Sequence, residues 1–338
     1  MFFLPAETAH HTAMKIFSMS TKIPGMRWVF KKIYCCDDQS LAREVCGLYF
    51  KNPVGLAAGF DKDGKYLDII DLLGFGFVEI GTVTPRPQSG NPKPRLFRLK
   101  RDGSVINRMG FNNDGVDALV ERLKNYKKGN IIIGGNIGKN KDTPNEKAKD
   151  DYLYCFEKLF PYVDYFVVNI SSPNTPGLRA LQDKEPLKEL LTSLQELNYS
   201  KANVKPIFLK IAPDLTAEQI SDIVGICRST SMSGIVATNT TVGRTGLNTP
   251  QHVIDAIGPG GLSGKAINTK SLEVLAELKG HVGSNDMVLI GVGGIYDAKS
   301  AIERLRHGAS LIQVYSGLIF EGPGLVKTIC HAIRTQNA

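Results

Sequence analysis

No run of apolar residues in this chain approaches the roughly 20 needed to span a bilayer, so no membrane-crossing helix is expected. The first residues lack the apolar core and cleavage site of a signal peptide. The six cysteines (35, 36, 46, 155, 227 and 330) form no C-x-x-C pair, which argues against a zinc ribbon or an iron–sulfur cluster. Adjacent Cys35 and Cys36 read as packed thiols, and a reducing, intracellular setting fits. The six histidines show no H-x-x-x-H spacing, and no metal is expected. Net charge is +8, but the basic residues are dispersed, with no Lys/Arg tract or aromatic-interleaved basic motif, so nucleic-acid binding is not expected.

What is present is a globular composition, 42% hydrophobic and 22% charged, with 34 glycines, many of them just after apolar runs. From Val54 onward, short β-branched runs alternate with helical patterns. The runs are Val54–Ala57, Val78–Gly81, Ile131–Gly135, Tyr165–Asn169, Ile207–Ile211, Gly234–Thr238, Val288–Gly291 and Leu311–Tyr315. Each is apolar on both faces, as parallel strands covered by helices must be. Ala217–Arg228, Ser271–Leu278 and Ala298–His307 exemplify the intervening helices. Eight β-then-α units predict a (β/α)8 barrel, with a doubly wound sheet as the alternative.

Two connections are long. After strand two, Arg95–Leu99 and Ser104–Ile106 flank Asp102-Gly103, a dipeptide suited to a tight hairpin, giving a small β-insert at the top rim. After strand six, the Gly/Thr-rich segment Thr240–Gly264 is expected to arch over the same face. Residues 1–45 are distinct. Glu7–Phe17 and Gly25–Ile33 read as short helices, and Met26, Val29, Phe30 and Ile33 recur at i, i+3, i+4 and i+7 with Lys22, Arg27, Lys31 and Lys32 around them. That pattern suits a helix lying in a membrane interface; it also suits a helical cap closing the bottom of the barrel, which the pattern alone slightly favours.

Chemistry in such a barrel gathers at the C-terminal strand ends. There this chain carries Ala57–Gly64 with Lys62, Thr82, Asn107–Asn113, Asn136, Asn169–Gly177, Lys210, and Thr238-Asn239-Thr240. Asn107, Asn136, Asn169, Asn174 and Asn239 could each be a turn cap. Together they suit a planar heterocycle with alternating carbonyl and N–H groups, because a carboxamide both donates and accepts. Lys62 would pair with an anionic substituent. Gly291-Val292-Gly293-Gly294 and Tyr315-Ser316-Gly317 end strands seven and eight, where barrels commonly hold a phosphate.

These segments, with Lys210–Asp214, Ala237–Thr241 and Gly260–Gly264, resemble the dihydroorotate dehydrogenase family, almost without interruption from about residue 45 to the C-terminus. The resemblance implies a (β/α)8 barrel that binds FMN and oxidises dihydroorotate to orotate in pyrimidine synthesis. It implies FMN contacts from Ala58, Gly59, Phe60, Asp61, Lys62, Thr82, Asn136, Asn169, Lys210, Thr238, Gly264, Gly294, Tyr315 and Ser316. It implies substrate contacts from Lys62, Asn107, Arg108, Met109, Gly110, Phe111, Asn169, Asn174, Asn239 and Thr240. Ser172 would be the base, with Thr175 and Phe111 shaping a proton relay. Serine rather than cysteine at 172 marks the quinone-dependent branch, in which a helical extension touches the membrane and forms a tunnel for ubiquinone or menaquinone. Residues 1–45 would be that extension, with Met14, Phe17 and Phe30 as apolar candidates, and 46–338 the catalytic domain. A peripheral location on the cytoplasmic side of a bacterial inner membrane would follow. A fumarate- or nicotinamide-linked soluble homologue, a Schiff-base aldolase using Lys210, and a non-catalytic scaffold remain as alternatives.

Overall fold

The computed structural model describes residues 3–127, 129–283 and 287–337. Residues 1–2 and 338, the outer ends of the two expected domains, lie outside the described residues. Eight parallel strands close a barrel in chain order: β1 (Val54–Leu56), β2 (Phe77–Val83), β3 (Ile132–Ile137), β4 (Tyr165–Asn169), β5 (Ile207–Ile211), β6 (Gly234–Ala237), β7 (Val288–Val292) and β8 (Leu311–Val314). The closed barrel is the architecture expected from the eight apolar runs. Nearly every strand residue is buried, since helices cover the outer face while the inner side chains fill the barrel.

The lower interior is packed by rings. Phe50, Phe77, Tyr165 and Phe208 follow one another at centroid separations of 5.4, 6.5 and 5.5 Å. Two glycines make room for them. A Cβ on Gly55 would lie 2.3 Å from the Phe77 ring, and one on Gly134 would lie 2.2 Å from the Tyr165 ring.

The bottom is closed by an antiparallel hairpin, Arg43–Val45 with Leu48–Phe50, whose Val45 and Phe50 join this interior cluster. The helical cap that the N-terminal pattern slightly favoured is therefore not there. Helices α1 (Ala6–Ser20) and α2 (Met26–Tyr34) lie elsewhere. The Arg95 guanidinium grips Glu7 of α1 with two nitrogens, at 2.8 and 3.2 Å, tying that helix to the top rim. Helix α2, which carries the amphipathic pattern, instead lies against the outer helix Leu67–Leu72, with Arg27 3.8 Å from Asp68. No described helix is long and apolar enough to cross a membrane.

The top insert differs from expectation in two ways. Leu96–Leu99 pairs antiparallel with Ser104–Asn107, but Leu99 opposes Ser104, so residues 100–103 form a four-residue turn ending at Gly103 (φ 52°). Asp102 faces inward instead, accepting the backbone N–H groups of Asn248 and Thr249 at 2.6 and 3.1 Å. The segment expected only to arch over the barrel contributes a third strand, Gly261–Gly264, paired with Ser104–Asn107. Its Gly-Leu-Ser-Gly sequence carries no strand periodicity; pairing to an exposed edge forms it.

Gly134→Ala should lower stability by about 1–3 kcal/mol through overpacking. Combined with Tyr165→Leu, the loss in chemical denaturation should be smaller than the sum of the two single losses. Strict additivity would mean the ring does not require the glycine.

Candidate active site

The strand ends open into a cleft whose free space, counted out to its open mouth, is about 970 Å³. Its floor is a polar cluster built from adjacent strands. Thr82 Oγ1 donates to Asn136 Oδ1 at 2.6 Å, and Asn169 Nδ2 donates to Thr82 Oγ1 and Asn136 Oδ1 at 2.8 and 3.2 Å. Asn136 Nδ2 donates to Glu79 Oε2 at 3.1 Å, and Gln313 Nε2 donates to the other oxygen of the same carboxylate. Lys210 Nζ stands 3.8 Å from Glu79 Oε2, with both side chains almost wholly shielded. Sequence reasoning missed Glu79 and Gln313. The signal was available: a carboxylate and a carboxamide inside otherwise apolar runs are costly to bury unless other groups satisfy them.

Above the floor, Asn239 Nδ2 donates to Asn169 Oδ1 at 3.2 Å and to Ser171 Oγ at 3.1 Å. Asn174 Nδ2 donates to Asn107 Oδ1 at 3.1 Å, joining the serine loop to the rim insert. Ser172 lines the cleft and is buried, its Oγ accepting the Asn174 N–H at 3.3 Å. Thr240 and Thr175 are further along: their hydroxyls are buried and find no hydrogen-bond partner. Phe111 holds a left-handed backbone (φ 50°), kept there by Asn113 Nδ2 and Gln88 Nε2 donating to its carbonyl at 2.7 and 3.1 Å.

Of the residues expected at the site, Ala58, Gly59, Lys62, Thr82, Asn107, Met109, Gly110, Phe111, Asn169, Ser172, Asn174, Lys210, Thr238, Asn239, Thr240, Gly264, Gly294, Tyr315 and Ser316 line this cleft. Asn136 lies beneath Thr82 and Asn169, and Thr175, three residues on in Ser172's own loop, is buried without lining the cleft. Phe60 and Asp61 face a second cavity. The Arg108 side chain is not brought to the cleft. Its guanidinium packs over the Phe97 ring at 4.7 Å and donates to the carbonyls of Ile257 and Pro94.

The residues present fit a flavin nucleotide. One end of the cleft is main chain from Gly264, Gly293-Gly294 and Gly317, with the Ser263 and Ser316 hydroxyls 2.9 Å apart, which suits a phosphate. A Cβ on Gly294 would lie 2.4 Å from Asn268 Cα, so that backbone path admits only glycine. The middle offers Thr82, Asn169 and Lys210 to ring carbonyls and nitrogens. The far end, with Lys62, three carboxamides and Ser172, suits a smaller anionic ring.

The second cavity, with about 1490 Å³ of free space counted out to its open mouth, lies between α1 and the barrel rim. Met14 and Phe17 line it, whereas Phe30 packs behind Phe17 at a 5.6 Å ring separation. Its polar groups include His10, Arg98 and Asp61. Burial, with help from His11 and Lys62, pushes the His10 imidazole down to about 4, so it is neutral at pH 7. Burial raises Asp61 to about 6 against two backbone N–H bonds. Gly59, Lys62, Met109 and Tyr315 line both cavities and form their shared wall. Burial and the nearby Arg95 charge hold the Lys62 ammonium down at about 7. Among the described residues, no group of three or more His, Cys, Asp or Glu is placed to hold a metal.

Comparison with known proteins agrees with this arrangement. The family model described as "Dihydroorotate dehydrogenase" matches residues 40–336. A Christiangramia forsetii protein named "Dihydroorotate dehydrogenase (quinone)" is 55% identical over 329 residues, covering 97% of this chain and 95% of its own. A protein of the same name from Aliivibrio fischeri is 48% identical over 337 residues, covering 98% and 97%. The crystal structure of an Eimeria tenella DHODH with ferulenol superposes with a TM-score of 0.85 at 35% identity, covering 98% of this chain and 91% of that one. With a closed barrel, a flavin-shaped cleft and a relative of that name matching over nearly its whole length, the chain belongs to the dihydroorotate dehydrogenase family of pyrimidine biosynthesis, in its quinone-dependent branch.

Proposed function

We propose that this chain oxidises dihydroorotate to orotate on FMN and delivers the electrons to a membrane quinone, with Ser172 as the base. The observation that carries this reading is the placement of Ser172 in one cleft with Lys62 and Asn107, Asn174 and Asn239, while a second, largely apolar cavity shares the wall at Lys62 and Tyr315. FMN, when bound, supplies the two-electron acceptor that takes hydride from the substrate. The main chain at Gly264, Gly294 and Ser316 would hold its phosphate, and Thr82, Asn169 and Lys210 its ring.

The chain's own groups do the rest. Lys62 pairs with the substrate carboxylate, and Asn107, Asn174, Asn239 and Thr240 read the ring's carbonyl and N–H edge. Ser172 takes the proton from the carbon next to the ring carbonyl as hydride leaves the adjacent carbon. A serine hydroxyl is a weak base, so the proton must move on. The buried, unpartnered Thr175 hydroxyl supports its role in that relay, and the Phe111 ring shields the site from water. Glu79 beside Lys210 argues against the aldolase alternative, because it gives that ammonium an ion-pair partner in the floor rather than a free path to a carbonyl.

Residues 1–45 serve as the quinone and membrane extension and 46–338 as the catalytic barrel. Either ubiquinone or menaquinone would enter beside Met14 and Phe17. Ile16, Met19, Ile23, Trp28 and Ile33 are all at least half exposed on this extension, among Lys15, Lys22, Arg27, Lys31 and Lys32. Apolar tips with surrounding cations suit an anionic lipid surface, and a peripheral place on a bacterial cytoplasmic membrane follows.

Three outcomes are expected. In stopped-flow mixing with dihydroorotate, Ser172→Ala should slow flavin bleaching by about 10²–10⁴-fold, and quinone but not fumarate should restore the oxidised flavin. Unslowed bleaching would remove Ser172 from the mechanism. Orotate affinity should weaken as pH rises through about 7, where Lys62 loses its proton in the free site. The slope should reach at most about tenfold per pH unit, and Lys62→Met should flatten it. Finally, Trp28 is the only tryptophan, so its emission should shift to the blue with anionic vesicles. An unchanged spectrum would mean this face does not enter lipid.

A further inference from the structure

Arg179 does not line the cleft. It sits in the 3-10 turn Leu178–Gln182, just after the loop that carries Ser172. Its guanidinium nevertheless reaches three strand-end loops. Nε donates to the Ser171 carbonyl at 3.2 Å, Nη2 to the Thr240 carbonyl at 3.3 Å, and Nη1 to Asp214 Oδ2 at 3.2 Å. These acceptors follow β4, β6 and β5 respectively.

Asp214 is itself fixed. Lys270 Nζ approaches its Oδ1 at 2.6 Å, the Thr241 hydroxyl donates to the same oxygen, and the Val242 N–H donates to Oδ2 at 3.1 Å. Burial pushes this carboxyl up, but the bonds from Lys270, Thr241 and Val242 outweigh it and hold it below the usual carboxylate range. The anchor therefore stays charged wherever the enzyme works. Ser171 is held a second time through its side chain, which donates to the Lys210 carbonyl at 2.7 Å.

The Ser171 carbonyl belongs to the same rigid peptide plane as the Ser172 N–H. Fixing that oxygen fixes the direction from which the Ser172 side chain leaves the backbone. The Thr240 carbonyl sets the next plane in the loop facing it. One planar cation thus sets the base-bearing loop against the loop of Asn239 and Thr240.

We infer that Arg179, anchored by Asp214, is a positioning residue for Ser172, holding the serine hydroxyl in register with the substrate bound across the cleft. This rests on the reading of Ser172 as the base. A lysine at 179 could pair with Asp214 but could not present a fork to two carbonyls as well.

The test uses the purified holoenzyme, with Arg179→Lys and Asp214→Asn made in both the parent and Ser172→Ala chains. Flavin content and melting temperature report folding; the rate of flavin bleaching by saturating dihydroorotate reports chemistry. Arg179→Lys should slow bleaching by about 10–100-fold in the parent and by less than about twofold once Ser172 is gone, since residues acting as a unit are not additive. Asp214→Asn should move the rate in the same direction and carries the test if Arg179→Lys loses flavin. Equal losses in both backgrounds would show a general structural effect and overturn the inference, as would an unchanged rate in the parent. If Ser172→Ala alone bleached at the parent rate, the base assignment would fall first, a distinct result.

Discussion

A single buried carboxylate holds the centre of this molecule. Glu79 projects from the middle of β2 into the barrel, where no part of it is exposed. Asn136 of β3, Lys210 of β5 and Gln313 of β8 all turn to it. A charge placed there without partners would cost several kcal/mol, so those side chains cannot be chosen independently. Their satisfaction in turn orients Thr82 and Asn169 one layer higher. The floor of the cleft is therefore a fixed hydrogen-bonding pattern before any ligand arrives, which is what binding a planar heterocycle without reorganisation requires.

The same barrel separates two solvents. Below Glu79, aromatic rings and the Arg43–Phe50 hairpin exclude water from the closed end. Above it, the polar cleft and the more apolar second cavity stand side by side, divided by Gly59, Lys62, Met109 and Tyr315. In the proposed reaction, these four shared residues would keep an anionic substrate and an apolar acceptor apart while leaving little distance between them. The helix that completes the apolar side is attached at the rim by Glu7 with Arg95 and along its length by Met14, which is buried in the main core cluster of the barrel.

Much of this was legible in the residues. The strands were visible because burial on both faces leaves continuous apolar runs. The rim was visible because five asparagines at strand ends exceed what turns require. Glu79 and Gln313 escaped notice because their partners lie on strands far away in sequence; only closure of the barrel brings residues 79 and 313 together. The third strand of the insert was invisible for a similar reason: Gly261–Gly264 is a strand only because Ser104–Asn107 offers an unpaired edge. Arg179, eight residues beyond Ser171, gains its partners only where the loops after β5 and β6 fold against the serine loop.

By itself, then, the sequence determined the eight-unit alternation and the chemical identity of the strand-end side chains, because periodicity and residue type are local properties of the chain. Tertiary structure decided which end of the barrel the N-terminal helices occupy, which polar groups satisfy the buried carboxylate, and that two cavities share one wall. Each of these depends on contacts between residues tens to hundreds of positions apart, such as Glu7 with Arg95 and Glu79 with Gln313. Local patterns encode a preference for burial, but the partner that meets it is selected only when the strands close.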